Sequence, residues 1–110
     1  MKKLPHFLFA LLLSGSLLGP AFSASNADAE FKAAMDKMHK SMTKPMMGMP
    51  DHDFAMMMLP HHQGAVDMAK IELKYGTDPK LRKMAQQIVT SQQKEIQELQ
   101  AWLKSHPMKH

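Results

Sequence analysis

D-H-D-F-A-M-M-M-L-P-H-H-Q-G-A-V-D-M, residues Asp51 to Met68, gathers four methionines, three histidines and three carboxylates into eighteen residues. Its spacing decides the fold. Leu59, His62, Val66, Ala69 and Leu73 recur at intervals of three, four, three and four, the repeat of a helix packed along one seam of a bundle. Phe54, Met58, His61, Ala65 and Met68 form a second row beside it. Its composition directs the chemistry: thioether sulfur is a soft ligand and neutral imidazole a borderline one, so the donor set points to a metal that accepts both, Cu(I) first. Methionine is also an adaptable filler of irregular cores. The two readings separate on where the sulfurs come to lie.

Asp51 is the predicted N-cap of this helix, with Asp53 in its first turn where negative charge suits the helix dipole. The helix is expected to run to Tyr75 and to end on a left-handed Gly76. Pro60 lies inside it; lacking an N–H, it frees the carbonyl of Met56 and predicts a kink one turn before the His61-His62 pair. Asp78-Pro79 then marks a third helix, Asp at N-cap and Pro at N1, continuing to about Ser105 and stopping before Pro107. Its stripe is Leu81, Ala85, Ile88, Gln92, Glu95, Leu99 and Trp102. Gln92 and Glu95 interrupt an apolar seam, and buried polar groups need partners. In an antiparallel pair joined near Gly76, His62 is the facing interruption, with Glu95 offset by roughly 7 Å and Gln92 closer. Gln92, with Glu95, is therefore expected to hydrogen-bond to His62.

Upstream, Thr43 to Pro50 (T-K-P-M-M-G-M-P) is a connection, because two prolines and a glycine forbid a regular helix. Met46, Met47 and Met49 sit in it without an apolar stripe to belong to, and Met47-x-Met49 is a candidate metal clip. Asp28 to Met42 reads as the first helix, with Phe31, Met35, Met38 and Met42 as its stripe and His39 one turn from Met35. At the other end, His106, Met108 and His110 form a short tail that offers further donors.

Residues 1–24 have the order of a secretory signal peptide: Lys2 and Lys3, an apolar run from Phe7 to Gly19, then the small-residue exit Ala21-Phe22-Ser23-Ala24. Cleavage is expected after Ser23 or after Ala27. The run is too short to span a bilayer comfortably, so no membrane association is expected once it is removed, and the destination is the periplasm. No cysteine is present, which removes disulfides, a lipid-attachment site and a blue-copper centre. In an oxidising compartment a thioether holds a soft ion without being lost to disulfide formation. From Ser25 onward twelve basic residues face ten acidic ones, a mixed balance that gives no footprint for nucleic acid or an anionic membrane.

From Met57 to Ala69, M-M-L-P-H-H-Q-G-A-V-D-M-A, the chain resembles a family of small exported bacterial proteins first catalogued as a domain of unknown function, with the hallmark M-x-x-H-H-Q-x-A-x-x-M-A and CopM-like copper-binding proteins among its members. The similarity extends through D-P-K-L-R-K-M-A-Q-Q-I and Q-x-x-E-I-x-x-L-x-x-W-L, to about Leu103. The resemblance implies a ferritin-like helical bundle and copper handling, with family Met and His residues carried onto Met57, Met58, His61, His62 and Met68. The Met-rich part before Asp51 lies outside the shared core.

On a helix, residues three or four apart are neighbours, so Met57 or Met58 with His61, Met58 with His62, and Met35 with His39 are two-ligand clips. Cu(II) would look to His61, His62, His52 or His39. An iron or manganese carboxylate site asks for Glu-x-x-His pairs, and a zinc protease for H-E-x-x-H; neither occurs. There is no glycine-framed serine, no cysteine nucleophile and no phosphate loop, so a non-enzymatic protein is expected. The sequence thus predicts an all-α bundle of three main helices: a removed signal (1–24), a Met-rich first helix and loop (25–50), and a core hairpin (51–106). Its expected partners are copper ions, a second copy of the chain and a protein that takes the copper on. The rival expectation is a Met-lined helical interaction or dimerisation module with no specific metal.

Overall fold

The computed structural model describes residue 2 and residues 19–109, with side chains from residue 26 onward. Most of the expected signal segment, and His110, lie outside the described residues. The described chain is all-helical, as the spacing predicts: α1 spans Gly19–Met42, α2 Pro50–Tyr75 and α3 Pro79–Ser105.

Each boundary has a local cause. The helix α1 starts nine residues before the expected Asp28, through an alanine-rich run that favours helix. The N-cap of α2 is Met49, not Asp51, because Pro50 takes the first helical position, where its missing N–H goes unneeded. Asp51 and Asp53 both fall in the first turn instead. The helical assignment of α2 continues through Pro60. Asp78 caps α3 as predicted, its Oδ1 accepting from the Leu81 N–H at 2.9 Å.

Gly76 departs from expectation. Its backbone is extended (φ −70°, ψ 149°), so no left-handed residue ends α2. A Cβ there would lie 2.1 Å from the Glu72 carboxylate, the far end of a flexible side chain that can move aside. The carbonyls at the end of α2 are satisfied by Arg82, whose Nη1 donates to Leu73 O at 2.8 Å and to Gly76 O at 2.9 Å. One guanidinium thus ties the first turn of α3 to the last turn of α2.

The helices lie side by side with α2 in the middle; α1 and α3 pack on either side of it and do not approach each other. Val66 and Ala69 of the predicted α2 seam are buried, with Leu59, His62 and Leu73 half-buried. The α1 stripe holds at Phe31, Met38 and Met42, which are half-buried, but Met35 is 46% exposed and Ala34 is the buried residue. Met38 lies over Gly64, where a Cβ would meet its Sδ at 2.7 Å. Ion pairs fix the antiparallel register of α1 on α2, Glu30 with Lys74 at 2.7 Å and Lys37 with Asp67 at 3.6 Å.

The hydrogen bond from Lys74 holds the Glu30 carboxyl below the usual carboxylate range, and the same bond raises Lys74. Glu30 therefore stabilises above its ordinary pKa and loses this as pH falls through the lowered value. Lys74 loses its share as pH rises through the raised one. The pair is intact across the neutral range, solvated, and weakened by salt.

Two substitutions check this packing. Gly64→Leu overpacks the α1–α2 crossing and is expected to cost about 1–3 kcal/mol, partly recovered by Met38→Ala in the same chain; strictly additive effects in urea unfolding would contradict the contact. Arg82→Met removes charged hydrogen bonds from two carbonyls and is expected to lower stability by about 1.5–3 kcal/mol in the same assay.

Candidate functional site

The connection from α1 to α2 folds back on the first turn of α2. Gly48 adopts φ +74°, a left-handed conformation that strains any side-chain-bearing residue. Beyond that bend the Asp53 carboxylate accepts the Met47 N–H at 2.9 Å. The loop is thereby laid beside the exposed edge of α2, and a cleft of about 240 Å³ results. Six methionines line it: Met42 from the end of α1, Met46 and Met47 from the loop, Met56 and Met57 from α2, and Met108 from the C-terminal tail. His52 and Asp53 complete the α2 side. Met46, Met47, Met56 and Met108 are 68%, 57%, 40% and 40% exposed, so these thioethers face solvent instead of filling a core.

The tail reaches the cleft because α3 ends on a stacked cap. His106 N–H donates to Trp102 O at 3.0 Å, and the His106 ring stacks on the Trp102 indole with centroids 4.3 Å apart. His52 meets the same indole edge-on at 4.9 Å, and its Nε2 hydrogen-bonds to the His106 carbonyl. The chain's single tryptophan thus stands between a cleft-lining imidazole and the tail.

Electrostatically the cleft is close to neutral. Asp53 is its only carboxylate, already engaged by a backbone N–H, and Lys44 is its only cation. Neutral soft donors with little net charge suit a soft monovalent ion and offer little to a hard dication. Among the described residues, no three His, Cys, Asp or Glu side chains come together as a metal-binding group.

A second, larger groove of about 560 Å³ opens between the N-terminal half of α2 and the C-terminal half of α3. Phe54, Met58, Leu99 and Trp102 form its apolar walls, with Asp51, Glu95 and Glu98 at its acidic edge. Here His62 Nε2 is hydrogen-bonded to Glu95. The expected clasp exists, but with Glu95 and not Gln92; the two side chains bridge the axial offset. Gln92 Oε1 and His62 Nδ1 are buried with no partner.

The candidate ligands are therefore divided. Met47, Met57 and His52 share the Met-lined cleft, while Met58 and His62 line the groove. The His61 side chain is exposed, its ring centroid 6.1 Å from that of His62 and tilted by 61°, as neighbouring helical positions demand. Met68 is half-buried and lines neither cavity. Met35 and His39 are exposed on α1, and Met49, at the α2 N-cap, makes no side-chain cap bond and is exposed outside both cavities. Met108 is the tail donor that the sequence offers, whereas Met42, Met46 and Met56 are not among the expected ligands, though the spacing of His52 and Met56, one helical turn apart, carries the signal for one of them.

Residues 51–110 match a protein family described as a domain of unknown function, DUF305. The chain belongs to the DUF305 family. No curated protein matches it. The DUF305 match covers α2, α3 and the tail, and so His52, Met56, Met57 and Met108; Met42, Met46 and Met47 come from the part that precedes it.

The His62–Glu95 contact is testable by stability. Glu95→Ala leaves a largely buried imidazole with neither nitrogen partnered and is expected to cost about 1–3 kcal/mol. Urea unfolding of this variant beside His62→Leu,Glu95→Ala, in which no buried nitrogen is left, should show the double variant recovering part of the loss. An equal or larger loss in the double variant would contradict the pairing.

Proposed function

We propose that this DUF305 protein is a periplasmic copper-binding protein that sequesters or ferries Cu(I), with the Met-lined cleft as its principal site. The observation that carries this reading is the gathering of six thioethers from four chain segments around one open, nearly neutral cavity. Met fillers would be sealed between helices; four of these are solvent-exposed. Two or three soft donors suffice for Cu(I), and His52 stands at the rim as a borderline donor. Openness suits a carrier, because a partner's ligands can reach the ion while it is still held.

The sequence features that predict a removable signal support export, and the absence of cysteine suits an oxidising compartment. The exposed His61 offers a secondary position for Cu(II), and His62 beside Met58 becomes one when its Nε2 leaves Glu95. The role is that of a carrier in copper resistance or homeostasis rather than a catalyst. A receiving protein that collects the ion is its natural counterpart.

Competition with a chromogenic Cu(I) chelator under anaerobic conditions tests the reading. Stoichiometric capture is expected, and replacing Met46, Met47, Met56 and Met57 by Leu, which spares shape, is expected to weaken it by about 100-fold, roughly 2.7 kcal/mol. Thioethers do not protonate and imidazoles do, so Cu(I) capture should persist at mildly acid pH while any Cu(II) binding is lost. No capture, or capture indifferent to the four substitutions, would overturn the proposal.

A further inference from the structure

The groove between α2 and α3 plays no part in the Met-lined cleft, and the helix arrangement leaves it open. Folded domains bury apolar faces between two packed layers. Here α1 lies beside α2 and away from α3, so the described helices form one layer. Among the described residues the buried hydrophobic ones are Ala34, Ala55, Val66, Ala69, Ile71 and Ala85, and no large side chain is fully buried. Meanwhile Phe54 is 61%, Leu81 50% and Met84 46% exposed.

These exposed groups are distributed so that one copy complements another. At the open end of the hairpin is a concavity with apolar walls and an acidic edge of Asp51, Glu95 and Glu98. At the loop end are two protruding apolar side chains, Leu81 and Met84, set in the basic sequence Lys80-Leu-Arg-Lys83-Met. Groove and protrusion are about sixteen residues apart on α3, roughly 25 Å. Between them stand Ala65 on α2 and Ser91 on α3, small enough for two backbones to come close.

We propose that a second copy of this chain packs antiparallel across the α2–α3 face, inserting Leu81 and Met84 of each copy into the groove of the other, with Lys80 and Lys83 opposite Asp51 and Glu98. The contact is isologous, so a single two-fold axis near Ser91 fills both grooves and closes the assembly. The second copy supplies the layer that the described helices lack. Asp51 and Phe54 of the first α2 turns belong to the contact, whereas His52, Asp53 and Met56 of the same turns line the Met-rich cleft, and the inference does not rest on copper.

Sedimentation equilibrium of the purified full chain without metal, over a concentration series, is the test. A dimer is expected, with a blue shift of Trp102 emission as it forms. Leu81→Glu with Met84→Glu, both at exposed positions, should give a monomer of unchanged helicity. Glu98→Lys should weaken the dimer, and adding Lys80→Glu to it should restore association. A wild-type chain that stays monomeric overturns the proposal, as does a dimer unaffected by the Leu81 and Met84 substitutions. Failure of the reversed charge pair to restore association overturns the antiparallel arrangement.

Discussion

Close backbone approach along both sides of α2 is the constraint from which the rest of the molecule follows. Gly64 admits Met38 of α1 to within the space a Cβ would occupy, and Ala55, Ala69 and Ala85 are buried near the α2–α3 seam. Small residues let helices come close, but they bury little apolar area each. The register is then held by polar devices at the edges: Arg82 across the α2–α3 turn, Asp78 at the α3 cap, Glu30 and Lys37 on α1. Among the described residues a fold secured in this way leaves no large side chain fully buried.

That exclusion explains the chemistry. Methionines that would ordinarily plug gaps are left at the margins, and the left-handed Gly48 and the Asp53 clamp on Met47 collect them where α1 ends and α2 begins. The tail, anchored by the Trp102–His106 stack, adds another from the far end of the chain. The cleft joins the DUF305 region to the segment before it, so its full donor set depends on how the preceding loop is built. Most residues of the loop and tail are exposed.

Much of the fold was legible in residue spacing. The α2 seam, the Asp78-Pro79 start and the end of α3 depend on local rules of periodicity and capping, and all three hold. The Asp51 cap was decided by a neighbour, since Pro50 ahead of it takes the first helical position, while Gly76 is extended instead of left-handed and Met35 alone of the α1 stripe turns to solvent. The site was legible by composition and only partly by position. Of the predicted ligands, His52, Met47 and Met57 line the Met-rich cleft, Met58 and His62 line the groove between α2 and α3, and His61 and Met68 line neither. Sequence adjacency gathers residues in a line, and a helix disperses that line by about 100° per residue. The contribution of Met108, more than fifty residues away, rests on a tertiary contact that no local pattern encodes.

X-ray absorption at the copper edge, on protein loaded with Cu(I), tests most directly whether the methionines are ligands. Scattering dominated by two or three sulfurs, with at most one nitrogen, is the expected first shell. A shell of nitrogen and oxygen alone, or protein that retains no copper after desalting, would contradict a thioether site and return these side chains to the role of packing.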